Sequence, residues 1–243
     1  MKKTVILIGF MALSMSLFGQ RTDFRAVLNS GLFSFAGTGP YEVTIGSVDK
    51  SIKLINLLNS FGTKQVMGYG FSGDIRHVSK GNFLSGVDLG VEVLKSKVLI
   101  DALLVNQNGV GGSTRIATGE SYLSHTFLTL NPYIGYRFKA ANVNIDATLG
   151  LDVAYNVKQK ATQYGTATTV NDGASYTTDA KINTLQFDIR PRGQIGITLN
   201  RIGIFGGYSY GISNYQPNNS RNLTYFSRLI RFGLTFQINK NSL

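Results

Sequence analysis

Residues 143–158 alternate with a period of two. Val143, Ile145, Ala147, Leu149, Leu151, Val153, Tyr155 and Val157 take one parity, and Asn144, Asp146, Thr148, Gly150, Asp152, Ala154, Asn156 and Lys158 take the other. Side chains on a strand alternate between its two faces, so this stretch predicts a strand with one apolar face and one polar or small face, about 50 Å long at roughly 3.3 Å per residue. Strands of soluble proteins average about 5–6 residues. A tilted strand that crosses a bilayer needs about 9–11.

The same grammar recurs along the chain. Over residues 184–199, Leu185, Phe187, Ile189, Ile195, Ile197 and Leu199 oppose Gln186, Asp188, Arg190, Arg192, Gln194 and Thr198. Over residues 202–213, Ile202, Ile204, Tyr208, Tyr210 and Ile212 oppose Gly203, Gly207, Ser209, Gly211 and Ser213, with Phe205 as the exception. Near the C-terminus, Ile230, Phe232, Leu234, Phe236 and Ile238 alternate with Leu229, Arg231, Gly233, Thr235 and Gln237. Residues 67–75, 87–93 and 128–138 behave similarly, whereas residues 24–35 show no clean parity and are read as a strand because the count needs one. The result is eight predicted strands.

Their connections alternate in length. Short links fall near residues 79–82, 139–142 and 200–201, and longer ones span residues 37–62, 106–120, 159–180 and 216–223. Four long loops at one end and three short turns at the other predict an all-β fold: an eight-stranded antiparallel up-and-down transmembrane β-barrel, with four longer extracellular loops, short periplasmic turns and periplasmic termini. A soluble lipocalin-like barrel is the alternative. It would put apolar residues inside and would not need a polar face carrying Asp and Arg on nearly every strand.

Composition narrows the class. Lys2 and Lys3 precede an apolar run from Val5 to Phe18, with the small Gly19 following, the order of a secretory signal. Residues 1–20 are accordingly expected to be cleaved, leaving residues 21–243 as one barrel domain. No later apolar stretch reaches about 18 residues, so an exported membrane protein of this sequence must span with strands. The chain contains no cysteine, which excludes a disulfide scaffold, a thiolate metal site and a Cys nucleophile. Its 28 glycines exceed average usage while its prolines number only 4, so the glycines belong to ordered structure rather than to linkers.

The segments NPYIGYRF from Asn131, GLDVAY from Gly150, DIRPRGQIGI from Asp188, GGYSYGISNY from Gly206 and IRFGLTF from Ile230 resemble the outer-membrane β-barrel family of Bacteroidota called porin-like or PorT-like. The resemblance covers most of the mature chain and implies an eight-stranded barrel in the outer membrane of a Gram-negative cell. It implies little about activity, because the family is defined by its fold. The chain continues from Asn239 to Leu243 after Ile238 instead of stopping on an aromatic residue.

If the polar parity faces inward, the lumen collects Asp74, Asp88, Glu92, Asp146, Asp152 and Asp188 together with Arg76, Arg137, Arg190, Arg192 and Arg231. An eight-stranded barrel is just wide enough for side chains to fill. Charges in such a space are costly unless paired and hydrogen-bonded, so the set predicts an ion-paired plug. The alternative is an ion or solute path gated by the same pairs.

Other candidates carry less chemistry. Ser124, His125 and Glu120 could form an acyl-transfer set, but strand neighbours point to opposite faces, so Ser124 and His125 cannot address one substrate together. His77 lies near a short turn and reads as interfacial. No catalytic, cofactor or metal residue is assigned, because no metal spacing, phosphate loop or nucleotide fingerprint appears.

The formal charge of +11 falls to +9 without Lys2 and Lys3. Lys64, Lys95, Lys97, Lys158, Lys160 and Lys181 cluster near the loop-side strand ends, where lipopolysaccharide phosphates are the expected contacts. Nucleic acid is not an expected partner of an exported chain, and a monomer is expected. Residues 51–60 permit one or two helical turns with an apolar side, read as a lid on the barrel mouth or as an exposed patch for a partner protein or the outer leaflet. Residues 159–180, rich in Thr, Ala and Gly, read as a mobile loop. Together these features predict a non-enzymatic outer-membrane protein that displays loops for interaction or envelope integrity. A narrow porin is the alternative, and a part in envelope secretion machinery is a third reading.

Overall fold

The computed structural model describes residues 19–49, 53–105, 113–217 and 222–239. The expected signal segment therefore lies outside the described residues except for Gly19 and Gln20, which open the first strand. Twelve strands are found among the described residues: β1 (Gly19–Ala36), β2 (Val43–Asp49), β3 (Leu54–Leu57), β4 (Lys64–Ser79), β5 (Phe83–Val105), β6 (Ser113–Ala140), β7 (Val143–Asn156), β8 (Lys160–Thr169), β9 (Ser175–Asn183), β10 (Phe187–Leu199), β11 (Ile202–Tyr210) and β12 (Phe226–Gln237). The expected count of eight is corrected to twelve. The four additional strands, β2, β3, β8 and β9, arise inside segments that read as long loops.

All twelve lie in one closed ring, which an additional pairing of β5 with β6 divides. One circuit runs β1–β4–β5–β6–β7–β10–β11–β12 and back to β1, every step antiparallel. The second circuit uses the far halves of β5 and β6. There β5 pairs with β2, β2 with β3, β3 with β9, β9 with β8 and β8 with β6, with the β2–β5 and β3–β9 steps parallel. β5 and β6 can serve both circuits because they run 23 and 28 residues.

Three tight turns mark one end of the main circuit, here called the turn end. Asn82, Ala141 and Asn200 sit in these turns with φ of 64°, 50° and 55°, the left-handed region that tight hairpins demand and that Asn tolerates better than most non-glycine residues. At the opposite end, the reading of residues 51–60 as helical is corrected. Leu54 to Leu57 form β3, whose Ile55 packs inside the second circuit with Val48, Ile100, Leu103 and Tyr176, while Ser51 and Ile52 lie outside the described residues. The mobile-loop reading of residues 159–180 is corrected to the β8–β9 hairpin, paired from Lys160↔Asn183 to Thr168↔Ser175.

Alternation decides what faces where. On the main circuit Leu28, Met67, Phe71, Leu89, Leu130, Ile134, Leu149, Ile195, Ile204 and Leu234 are exposed on the outer face, while Asp74, Glu92, Asp152, Arg190 and Arg231 are buried inside. The molecule is thus apolar outside and charged inside, the reverse of a soluble barrel. Among the described residues no helix is long and apolar enough to cross a membrane.

Candidate functional site: the filled barrel interior

Inward-facing residues build the interior in tiers. At the turn end, Asp146 accepts a two-pronged hydrogen bond from Arg137, Nε at 2.7 Å and Nη2 at 2.9 Å, and a further bond from Arg76. Arg76 also donates to Asp23 at 3.0 Å, and Asp23 accepts from Arg21 and, at 3.1 Å, from Gln237 Nε2. Arg137 and Asp146 are direct cross-strand partners on β6 and β7, so the hairpin turn itself sets this pair. Above it, Asp74 accepts from Arg25 Nε and from the Tyr133 hydroxyl, both at 2.7 Å.

A second charged tier occupies the middle. Arg231 donates to Glu92 at 2.7 Å and to Asp152 at 2.8 Å, and Arg190 donates to Glu92 at 2.7 Å. Arg192 Nη1 lies 3.4 Å from Asp152 and 3.8 Å from Asp88. Asp188 accepts from Ser227 Oγ at 2.7 Å and from the Tyr215 hydroxyl at 2.8 Å, and lies 3.4 Å from Arg190. Between the two tiers a cavity of about 30 Å³ remains, lined among others by Arg25, Asp74, Asp88, Tyr133, Asp146 and Arg192. A water molecule needs about 10–15 Å³ on this measure, so the space admits roughly two.

The loop-side end of the interior is aromatic. Phe33 and Phe35 from β1, His125 and Phe127 from β6, Leu94 from β5 and Leu229 from β12 are all buried there. Phe61 enters from the segment after β3, and Tyr215 and Tyr225 from the segment between β11 and β12. Phe35 packs edge-on against Phe61 and Tyr215, each at 4.9 Å between ring centroids. The mouth is held shut by backbone and side-chain bonds: Asn59 Nδ2 donates to the Gly39 carbonyl at 2.7 Å, Asn59 Oδ1 accepts from Phe61 N at 2.9 Å, and Ser60 donates to Gln163 at 2.8 Å.

The eleven lumen residues expected from the sequence, Asp74, Arg76, Asp88, Glu92, Arg137, Asp146, Asp152, Asp188, Arg190, Arg192 and Arg231, all face this interior, and each lies within 4 Å of an opposite charge. Asp23, Arg25, Tyr133, Tyr215 and Ser227 join this interior without being expected there, and Ser209 takes the inward parity that its alternation predicts. The aromatic tier was missed as a whole. Ser124 and His125 take opposite faces, with His125 buried against Phe33, Phe35, Phe127 and Tyr215, while Glu120 faces outward to Lys97. These three do not converge. His77 accepts or donates a 2.9 Å bond with Thr22 Oγ1 near the turn end. Among the described residues no group of three or more His, Asp or Glu is arranged to hold a metal ion.

The six loop-side lysines divide. Lys64 is paired with Glu42 at 2.6 Å and Lys97 with Glu120 at 3.0 Å. Lys97 also lies 5.8 Å from the Tyr122 ring centroid, and Tyr122 donates its hydroxyl to Glu120. That bond holds the Tyr122 phenol up at about 12, and together with Lys97 it holds the Glu120 carboxyl below its usual range. Lys158 and Lys160 are exposed, and Lys181 donates to Thr162 Oγ1 at 3.0 Å.

The strand pairings and this interior define the class: a closed β-barrel with an ion-paired interior, an aromatic cap and an apolar outer belt. No protein-family model matches the chain, and neither does any curated protein sequence. Among solved structures the chain is similar to Neisserial surface protein A (NspA), with a TM-score of 0.39 and 8% identity over 90% of this chain and 100% of that one. It is also similar to Ail, the attachment invasion locus protein of Yersinia pestis, with a TM-score of 0.31 and 12% identity over 88% of this chain and 99% of that one.

Proposed function

We propose that the chain is a non-enzymatic integral outer-membrane β-barrel protein, exported on a cleaved N-terminal signal and closed along its own axis, whose strand extensions beyond the membrane present a rigid surface for interaction or envelope integrity. The outer apolar belt supports membrane insertion, since a row of exposed Leu, Ile and Phe is unfavourable in water and matched to hydrocarbon. The observation that carries the closed state is the succession of two ion-paired tiers and an aromatic tier, with a cavity of about 30 Å³ between the ion-paired tiers. The second circuit supports the display role. It replaces flexible loops with a paired β-ring that has its own apolar core. The PorT-like resemblance of the motifs around Arg137, Asp152, Arg190, Tyr208 and Arg231 is consistent with an outer-membrane protein of Bacteroidota, and is the sole ground for a role in secretion machinery.

The test is a deletion of the β8–β9 hairpin, residues 160–183, in the full chain refolded into phospholipid vesicles. A chain that inserts, resists protease and keeps its unheated compact migration on a gel, but loses its envelope phenotype in cells, supports the display reading. Phenotype unchanged by the deletion overturns it. A narrow porin, the other reading, requires an aqueous path through Phe35, Phe61 and Tyr215, and is tested by conductance.

A further inference from the structure

We propose that the outer face of β5, β6, β8 and β9, just above the apolar belt, binds the phosphorylated head group of an outer-leaflet lipid through Lys95, Lys160, Lys181, Ser124 and Thr162. The inference rests on the outer-membrane reading and names a lipid partner for it.

Register brings these residues together from four strands. Lys95 pairs with Ser124, Ser124 with Thr162, and Thr162 with Lys181, so the four form one row across the sheet. Lys160 lies two residues along β8 from Thr162 and therefore shares its face. Adjacent strands are about 4.8 Å apart, which puts the outer members of the row roughly 14 Å apart at the backbone. Their side chains close that gap. Lys181 Nζ lies 3.0 Å from Thr162 Oγ1, and Lys95 Nζ leans across β6 to within 6.0 Å of the Tyr164 ring centroid, so both ammonium groups converge on β8.

This convergence is uncompensated. Unlike Lys64 and Lys97, none of Lys95, Lys160 and Lys181 has a carboxylate within 4 Å among the described residues. Two acids lie higher on this face, Asp179 one row up opposite Tyr164 and Glu120 two rows up opposite Thr166, the latter already paired with Lys97. Two like charges drawn together beside two hydroxyls form a donor-rich, acceptor-poor surface, which a phosphate satisfies with charge-assisted hydrogen bonds.

Position selects a lipid over a free anion. Two rows below lies Val91–Leu128–Tyr155–Phe187, a continuous apolar surface of the outer belt. A ligand with a phosphate at the height of Thr162 and acyl chains running down over Leu128 and Phe187 matches both parts, whereas inorganic phosphate meets only the upper one.

The experiment uses the full mature chain in phosphatidylcholine vesicles doped with bisphosphorylated lipid A or with its dephosphorylated form, reading lipid retained on the affinity-purified protein. The expected result is enrichment of the phosphorylated form alone, weakened about fivefold for each lysine removed in Lys95→Gln and Lys181→Gln, and weakened by salt. Lys95→Arg with Lys181→Arg retains binding, and Lys64→Gln leaves it unchanged. Equal retention of both lipids, or a double glutamine variant that binds like the wild type, overturns the inference while leaving the barrel reading intact. A wild-type chain that fails to insert, judged by its migration before and after heating, overturns both. Release of bound lipid A by inorganic pyrophosphate at low concentration would point to a free-anion site instead and likewise overturn the lipid assignment.

Discussion

Arg190 lies over Phe127, its guanidinium carbon 5.1 Å from the ring centroid. This contact joins the charged interior to the aromatic cap. Arg190 comes from β10 and Phe127 from β6, two strands separated by β7 around the barrel. A guanidinium is planar and weakly hydrated, so it can give one face to an aromatic ring while its edge donates to carboxylates. The interior thereby passes from ion pairs to aromatics through a direct side-chain contact.

Glu92 compensates both Arg190 and Arg231. Removing it leaves two buried guanidinium groups side by side, Arg231 with Asp152 and Arg190 with Asp188 as their remaining acids. Glu92→Ala is expected to destabilise the folded barrel by about 3–5 kcal/mol, read as the shift of the urea midpoint for unfolding from vesicles. A shift below about 1 kcal/mol would mean that water or another acid replaces the carboxylate.

Phe127 is buried between Arg190 and His125, whose ring stacks on it at 5.6 Å. Phe127→Ala is expected to cost about 3–5 kcal/mol through the cavity it leaves. The barrel should still migrate as a compact species, since the ion pairs of the turn-end tier, Arg137–Asp146 and Arg76–Asp23, do not involve it. Loss of the folded species altogether would show that the aromatic tier and the ion-paired tiers form one cooperative unit.

Gly233 is needed for close approach. A Cβ there would lie 2.2 Å from the Leu28 carbonyl oxygen and 2.7 Å from the Phe205 ring. Phe205 is an apolar residue at a regular inward position of β11, and it fits there because β12 has no side chain opposite it. Gly233→Val is expected to expel Phe205 and cost about 1–3 kcal/mol by overpacking, measured by the same urea midpoint. An unchanged midpoint would contradict this packing.

The Tyr122–Glu120–Lys97 contact sets a pH window for the region beyond the apolar belt. Tyr122 is raised above its ordinary value to about 12, so its contribution is complete below about pH 10 and is lost as pH rises through about 12. Glu120 is lowered, so its contribution is complete above about pH 4.3 and is lost as pH falls through its folded value. An alkaline absorbance titration of the wild type minus that of Tyr122→Phe should show one phenol ionising near pH 12. A difference transition near pH 10 would mean that the bond to Glu120 is not formed in solution.

What the sequence made legible follows from contrast between faces. On β7, β10 and β12 the outer residues are apolar and the inner ones charged or small, so Asp146, Asp152, Asp188, Arg190 and Arg231 stood out. On β1 that contrast fails, because Phe33 and Phe35 face inward into the aromatic cap while Phe24 and Leu28 face outward. Both parities of β1 are apolar, and Asp23 and Arg25 were lost with the pattern. The aromatic cap itself could not be read, since an inward Phe127 and an outward Leu128 look alike in a list of apolar residues. β8 and β9 failed for the opposite reason. Their outer face is Thr- and Lys-rich and their inner face small, as at Ala161, Ala167 and Thr178, so no period of two emerges in hydrophobicity. Only the register, which the sequence does not carry, aligns Lys95 with Thr162 and Lys181.

The closed interior is tested most directly by single-channel recording of the refolded mature chain in a planar bilayer, after its compact migration on a gel is established. A closed interior leaves the membrane silent, and silent still in Arg192→Glu, because the aromatic cap of Phe35, Phe61 and Tyr215 lies beyond that residue. Discrete, reproducible conductance steps from the wild type that change size in Arg192→Glu would contradict it.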